Sequence, residues 1–447
     1  MVDPPLPRKA SRKVEPVAIL GGERIPFARS FTNYRQATNQ EMLTFVLKRT
    51  VSRFALEGKR LGEVAGGAVL KSARSYNLTR ESLLDSRLEL STPAFDLQQA
   101  CATSLTAAVL IANKIALGQI DSGIACGVDS ASLIPVEVSP GLRDVLVRSA
   151  MARTPADRLS AWTSLRPAML RPEAGSVDEP RTGLSMGRHC EMMAKQWGVS
   201  RQDQDELALQ SHRNGLAAYQ RGFYQDLVTP YLGLERDSIL REDTSPERLA
   251  GLAPAFDRRA GTLTAGNSTP LTDGAAAALL SSAGWADANG IEPLAWLIDA
   301  ESAAVNFYLE DAEGLLMAPA HAVARLLARN GLTLQDFDFY EIHEAFAAQV
   351  LCTLKAWEDE SYCRDRLGLA GPLGAIDRTR LNVNGGSVGL GHPFAATGAR
   401  ILAGAARQLA EHRQETGKQG RALISVCAAG GLGVATIVAT QPSASSS

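Results

Sequence analysis

The stretch "LNVNGGSVGLGHPFAATGARILAGAARQLAEHRQETGKQGRALISVCAAGGLG", Leu381 to Gly433, passes from a glycine-rich turn into a long helix, then a strand and a second glycine-rich turn. Ala395, Ala396, Gly398 and Ala399 open the helix with small residues. Ala422, Leu423, Ile424 and Val426 form a short apolar run after the polar "ETGKQGR". The same order occurs about 290 residues earlier in "PAFDLQQACATSLTAAVLIANKIALGQIDSGIACGVDSAS", Pro93 to Ser132, as strand, turn, helix, strand and small-residue turn. Both following strands end near a cysteine, Cys126 in one case and Cys427 in the other. A chain that repeats this arrangement predicts two similar α/β halves, diverged too far to show a fixed period.

Working outward, "VEPVAILGG" (14–22) reads as a first strand and "EMLTFVLKRTVSRF" (41–54) as an amphipathic helix. The helix from about Ala102 to Leu117 is apolar on almost every face, which predicts burial on all sides, and Gly118 is its C-terminal stop. Between the halves, 140–180 is rich in Arg and Pro. "RTGLSMGRHCEMMAKQWGVSRQDQDELALQSHRNGLAAYQRG" follows as two helices, the second capped by Ser200 with Asp203 three residues on. The expected organisation is an arm (1–13), a first half (14–138 and 256–289), an inserted loop domain (139–255), a second half (290–440) and a tail (441–447).

At 447 residues the chain has length for two or three domains. With 45% hydrophobic and 21% charged residues it has a globular composition, and 46 basic against 48 acidic side chains argue against nucleic acid as a partner. No apolar run approaches the ~20 residues of a membrane span. The basic, Pro-rich "MVDPPLPRKASRKVEP" lacks the apolar segment of a secretory signal, although its few acids also suit an organelle transit peptide. Six cysteines, at 101, 126, 190, 352, 363 and 427, show neither a CxxC pair nor metal-ligand spacing. They fit a reduced, cytoplasmic setting, and no metal is expected.

Four positions carry candidate chemistry. Cys101 falls at the expected N-terminus of the buried helix, where unpaired amides favour a thiolate and a lowered pKa. His392 sits in the turn "GLGHPF", with Pro393 at the first position of the next helix. His343 and Glu344 lie where the strand "DFDFYEI" ends, the end of an α/β strand at which ligand sites gather. Cys427 ends the last apolar strand beside glycines that admit close approach of backbone or ligand. Each alone also has an ordinary structural role, as core cysteine, solvated turn histidine or cap. Together, two thiols and two imidazoles suit acyl transfer through a thioester: one thiol attacks, a histidine takes its proton, and a second acid–base group serves carbon.

The motifs "ACATSLTAA", "TAGNSTPLTDGAAA", "HEAFAAQ", "NVNGGSVGLGHPFAATGAR" and "CAAGGLG", in this order, resemble those of the thiolases over residues 15 to 440. The pairing of "HEAFA" with "GHPFAATGAR" looks most like the thiolase subunits of fatty-acid β-oxidation complexes of the trifunctional type. The short-chain acetoacetyl-CoA enzymes usually have Asn where His343 stands. The resemblance implies a five-layered α-β-α-β-α fold of duplicated halves with an inserted loop domain, and cleavage of 3-ketoacyl-CoA by CoA. It implies that Cys101 becomes acylated, His392 activates it, and His343 holds a water that joins His392 in binding the thioester oxygen. Cys427 would protonate the departing acetyl-CoA enolate, and the Cys101 and Ala429 amides would form a second oxyanion site. Many relatives have Gly at the Ala429 position. For coenzyme A it implies Arg241 on the adenine, Ser185 and Met186 along the pantetheine, and Thr269 in place of a pantetheine-contacting serine. Coenzyme A is then a substrate, and no separate cofactor is expected.

Three other readings are a β-ketoacyl synthase-like condensing enzyme, a biosynthetic acetoacetyl-CoA thiolase and a non-catalytic scaffold subunit. A second catalytic cysteine argues against the synthase, and all four reactive side chains argue against the scaffold. The expected partners are acyl-CoA and CoA, further copies of the chain as dimer or tetramer, and a hydratase–dehydrogenase subunit. The stretch 138–171 adds an alternative surface role. Arg143, Arg148, Arg153, Arg158, Arg166 and Arg171 face only Asp144 and Asp157, with Leu, Val, Met and Trp at helical spacing. It reads either as a segment packed on its own subunit or as a docking surface for an anionic membrane or partner subunit.

Overall fold

A computed structural model describes residues 14–174 and 178–442 of the chain. The expected N-terminal arm (1–13) and most of the tail (443–447) lie outside the described residues. Nine strands carry the architecture: β1 (Val17–Arg24), β2 (Glu63–Gly66), β3 (Ala94–Asp96), β4 (Ser122–Ser130), β5 (Thr272–Ser282), β6 (Ala295–Ala304), β7 (Phe339–Ile342), β8 (Arg421–Ala428) and β9 (Leu432–Ala439). They pair in the order β7-β8-β9-β6-β1-β5-β4-β2-β3. β2, β3 and β4 run parallel, as do β7 and β8, and the inner pairs are antiparallel.

The duplication is visible in this order. Each half has an outer parallel strand, a strand that follows a buried helix, an antiparallel return strand and its own first strand. β4 and β8 occupy matching places, and so do β5 and β9, and β1 and β6. The parallel bridge Tyr340–Leu381 stands where β3 pairs with β2 in the first half. The halves meet through β1 and β6 over Val17–Ile19 and Ala295–Leu297.

Period-2 side-chain alternation turns these strands into layers. In β4, Ala125 faces one core while Ile124, Cys126 and Val128 face another. In β8, Ala422, Ile424, Val426 and Ala428 face the first core, and Leu423 and Cys427 face a third. The shared core holds helices α3 (Thr103–Ala116) and α10 (Thr397–Thr416) between the two halves of the sheet. Outside lie α1 (Asn39–Arg53) and α2 (Leu78–Leu84) on the first half, and α8 (Ala318–Asn330) and α9 (Ala347–Glu358) on the second. The result is helix, sheet, helix, sheet, helix. α3 begins at Thr103 and Gly118 takes φ +61°, as the sequence predicts.

The chain between β4 and β5 supplies α4 (Pro140–Met151), α5 (Pro155–Trp162), α6 (Met186–Gln196) and α7 (Arg201–Gln220). Ser200 caps α7 by accepting the Asp203 N–H at 3.1 Å. This region is tied to the first half by a buried ion pair. Both terminal nitrogens of the Arg24 guanidinium donate to Asp237, at 2.5 and 2.7 Å, and Asp237 also accepts the Phe27 N–H and the Tyr219 hydroxyl. An ion pair out of water persists only when its remaining lone pairs are satisfied in this way.

Candidate active site

The N-terminal ends of the two buried helices bring the first reactive pair together. Gly398, in the first turn of α10, lies so near α3 that a Cβ there would sit 2.3 Å from the Leu105 nitrogen. Only glycine permits that approach. The Ala399 N–H donates to Ser104 Oγ at 2.8 Å across the same contact. Cys101 precedes α3 in a tight 3₁₀ turn, Ala100–Ala102. Ala100 takes φ +45°, a left-handed conformation strained for alanine, and Thr103 Oγ1 fastens it by donating to the Ala100 carbonyl at 2.7 Å. His392 reaches the same point from the other half. Its Nε2 lies 3.1 Å from Cys101 Sγ, and its Nδ1 lies 2.6 Å from Thr397 Oγ1. Pro393 precedes a 3₁₀ turn (Phe394–Ala396), and α10 starts only at Thr397, four residues beyond the predicted helix start. The extra turn leaves the imidazole outside the helix and facing Cys101.

The pair is neutral. Burial pushes the Cys101 thiol up to about 12 and the His392 imidazole down to about 3, the latter with help from the Arg400 cation. This corrects the expectation that the helix terminus lowers the thiol pKa. The backbone N–H groups of Ala429 and Cys101 do face the sulfur and favour its anion, but desolvation outweighs them. Cys427, 1% exposed on β8, is likewise pushed well above its ordinary value by burial and by Cys101 beside it. A thiol poised near neutral pH is therefore not what the fold supplies. Proton transfer within the site is needed to make either thiolate.

His343 completes the cluster. Its N–H donates to the Ser425 carbonyl at 2.8 Å, extending the β7 ladder by one residue. Its ring centroid is 4.1 Å from that of His392, and a donor atom from each of Cys101, His343 and His392 lies within 4.8 Å of the others. Nδ1 meets Ser387 Oγ at 2.8 Å, whereas Nε2 is buried with no partner among the described residues. The neighbouring Glu344 points elsewhere. Its carboxylate accepts from Ser211 Oγ, Asn382 Nδ2 and the Val388 N–H at 2.7, 2.5 and 3.0 Å, which staples the end of β7 to the turn before His392.

Cys427 lies one residue before the end of β8, and Ala429 opens the hairpin turn to β9, where Gly430 and Gly431 take φ +80° and +71°. Glu179, from the inserted region, accepts the Gly430 N–H at 2.6 Å and so fixes the turn that carries the Ala429 amide. The stretch Ser268–Thr272 joins the two histidine loops. Ser268 bridges Phe346, Leu271 bridges His392, and Thr272 Oγ1 accepts the His392 N–H at 3.3 Å. Thr269 hydrogen-bonds the Ala345 carbonyl through its hydroxyl at 3.1 Å, placing it beside the His343 loop. Ser185 caps α6, Met186 begins that helix, and Arg241 is exposed with its amide on His212 Nδ1 at 3.4 Å. Among the described residues no hydrogen bond or ion pair joins Ser185, Met186 and Arg241.

Sequence reasoning did not single out Thr272, Ser387, Thr397, Arg400 or Glu179. The first four lie inside the quoted glycine-rich motifs, where their hydroxyl and guanidinium groups were the available signal. Glu179 carried none, because its partner is 251 residues away.

Comparison with known proteins gives the family. Residues 17–284 match the thiolase N-terminal domain and residues 291–440 the thiolase C-terminal domain. The 3-ketoacyl-CoA thiolases of Yersinia enterocolitica and Yersinia pestis are each 38% identical over 443 residues, covering 98% of this chain and 99% of theirs. The crystal structure of the Bacillus anthracis acetyl-CoA acetyltransferase superposes with a TM-score of 0.79 at 27% identity, over 96% of this chain and 100% of that one. Both family domains, in order and spanning both halves of the sheet, establish that the chain belongs to the thiolase family.

Proposed function

We propose that the chain is a 3-ketoacyl-CoA thiolase of fatty-acid β-oxidation. The observation that carries this is the Cys101–His392 pair at 3.1 Å with the Ala429 and Cys101 amides facing the sulfur. His392 takes the Cys101 proton as the sulfur attacks the 3-keto carbon. Cleavage of the C2–C3 bond leaves an acyl group on Cys101 and the enolate of acetyl-CoA, which takes a proton from Cys427. The Cys427 thiolate then removes the proton of an incoming CoA thiol, whose sulfur attacks the acyl-cysteine; the shortened acyl-CoA forms, and Cys101 leaves as a thiolate that recovers its proton from His392. Backbone donors and His343, through a water shared with His392, stabilise the oxyanions of these steps. A neutral resting pair suits this cycle, because charge appears only as substrate reacts.

Coenzyme A is a substrate here, held by Ser185, Met186, Arg241 and Thr269, and the chemistry calls for no other cofactor and no metal. The test is thiolysis of 3-ketoacyl-CoA across chain lengths, with mass spectrometry for the acyl-enzyme. Wild type should turn over and carry an adduct that Cys101→Ala lacks. A condensing enzyme would fail at thiolysis, a scaffold would show neither activity nor adduct, and activity on acetoacetyl-CoA alone would indicate the short-chain enzyme.

A second reading concerns the α4–α5 hairpin. Leu159, Met151, Val147 and Trp162 are exposed, and Arg148, Arg153, Arg158, Arg166 and Arg171 form no ion pair among the described residues. This combination supports docking to an anionic membrane surface. Among the described residues no helix is long and apolar enough to cross a membrane. We place the protein in the cytoplasm as a dimer or tetramer that also meets a hydratase–dehydrogenase subunit.

A further inference from the structure

Ser387 and Arg400 form a buried chain behind His343. Ser387 and His343 are 0% exposed and Arg400 is 7% exposed. Arg400 Nη2 donates to Ser387 Oγ at 2.7 Å, and the same oxygen lies 2.8 Å from His343 Nδ1. A guanidinium can only donate, so the serine oxygen accepts from it. The serine has one hydrogen of its own, and His343 Nδ1 is the remaining partner for it. Were Nδ1 protonated instead, two donors would converge on the hydroxyl and its hydrogen would be stranded in a dry interior, at the cost of a hydrogen bond.

From this geometry we infer that Ser387 and Arg400 are positioning residues that lock His343 as the Nε2–H tautomer, turning its one unpartnered buried atom into a hydrogen-bond donor toward the reacting thioester. The inference rests on the proposed thiolase reading and adds the source of the histidine's polarity. Protonation on both nitrogens is opposed by burial, by His392 and by Arg400 itself. Arg400 borders a cavity of about 20 Å³ with Glu341, Glu23 and Tyr224, and Tyr224 and Glu341 favour its charge against burial and the nearby Arg24. Without Ser387 the imidazole would be free to present either a donor or a lone pair, and a lone pair repels a developing oxyanion.

The experiment is solid-state NMR of the full-length protein labelled with ¹⁵N-histidine, with His343→Asn assigning the signal, alongside thiolysis kinetics. Wild type should show His343 with a bare Nδ1 and a protonated Nε2. Ser387→Ala should give mixed tautomers and lower kcat by about 10- to 100-fold, less than the ~10²–10³-fold for deleting an oxyanion donor outright. KM should stay within about threefold. Ser387→Thr, which keeps the hydroxyl, should restore the tautomer and most of kcat, whereas a purely packing role would be rescued equally by Ser387→Cys. A wild-type His343 protonated on Nδ1 overturns the inference, as does Ser387→Ala with unchanged kcat. Should Ser387→Ala not fold, the wild-type spectrum alone decides. If wild type forms no Cys101 adduct and performs no thiolysis, the thiolase reading fails while the tautomer measurement still stands or falls separately.

Discussion

At the scale of single residues, the site stores its reactivity in neutral groups. Cys101 is pushed up to about 12 and His392 down to about 3. In the free protein the thiolate fraction at Cys101 should therefore rise about tenfold per pH unit throughout the range below its pKa. Alkylation of Cys101 by iodoacetamide, scored by peptide mass spectrometry, should accelerate steadily from pH 6 to 10 with no plateau. A plateau with a midpoint below pH 9 would instead mean an ion pair formed before substrate arrives. Cys427 should separate from Cys101 in its mutant phenotype. Cys427→Ala should still accept an acyl group on Cys101 from a simple acyl-CoA. Its carbon–carbon cleavage should slow by at least the ~10²-fold typical of general acid–base catalysis, and a near-normal thiolysis rate would return Cys427 to the role of a core residue.

At the scale of elements, the side chains proposed as catalytic are ends of regular structure held by other ends. Glu344 shows how. Three buried donors, from Ser211, Asn382 and Val388, converge on its carboxylate and join α7, β7 and the turn before His392. Glu344→Gln replaces one acceptor oxygen by a donor, so one of the three must lose its partner at about 1–3 kcal/mol. The urea midpoint should fall with the slope unchanged, and an unmoved midpoint would show that the staple is dispensable. Much of this level was legible in the sequence. The strand end at Ile342, the buried helix stopping at Gly118, the Ser200 cap and the duplicated turn–helix–strand order all follow from local pattern. The start of α10 was not, because Pro393 suits a helix N-terminus locally and only the tertiary need to face Cys101 inserts a 3₁₀ turn. Nor was the state of the thiols, since local position supplies the favourable amides but not the desolvation that overrides them. Hydrogen-bond partners hundreds of residues apart, such as Glu179 with Gly430, leave no local trace at all.

At the scale of the whole molecule, two sheet halves close on α3 and α10, and the candidate active site forms where the N-terminal ends of those helices meet. Both halves must therefore be in place before Cys101 and His392 can touch, so the chemistry is a property of the duplicated fold and not of either half. The α4–α5 hairpin stands apart from that logic. It packs on itself through Val145, Ser149 and Ala161, with the Trp162 indole N–H donating to Ser149 Oγ at 2.9 Å and Arg148 donating to Ser164 Oγ at 2.6 Å. Its other apolar side chains and most of its arginines face outward. Each basic side chain near an anionic lipid surface contributes about 1 kcal/mol, and exposed charges are screened over about 10 Å at 0.1 M salt. The full-length protein should thus float with vesicles containing anionic lipid at low ionic strength and detach as salt is raised to about 0.5 M. It should ignore purely zwitterionic vesicles. Changing Arg148, Arg153, Arg158 and Arg166 together to Gln should abolish flotation while thiolysis stays within twofold, since none of the four touches the catalytic cluster. Pull-down of a hydratase–dehydrogenase subunit without flotation would reassign the hairpin to a protein partner. If neither binding occurs at low salt, and deleting the hairpin unfolds the protein, its role is structural.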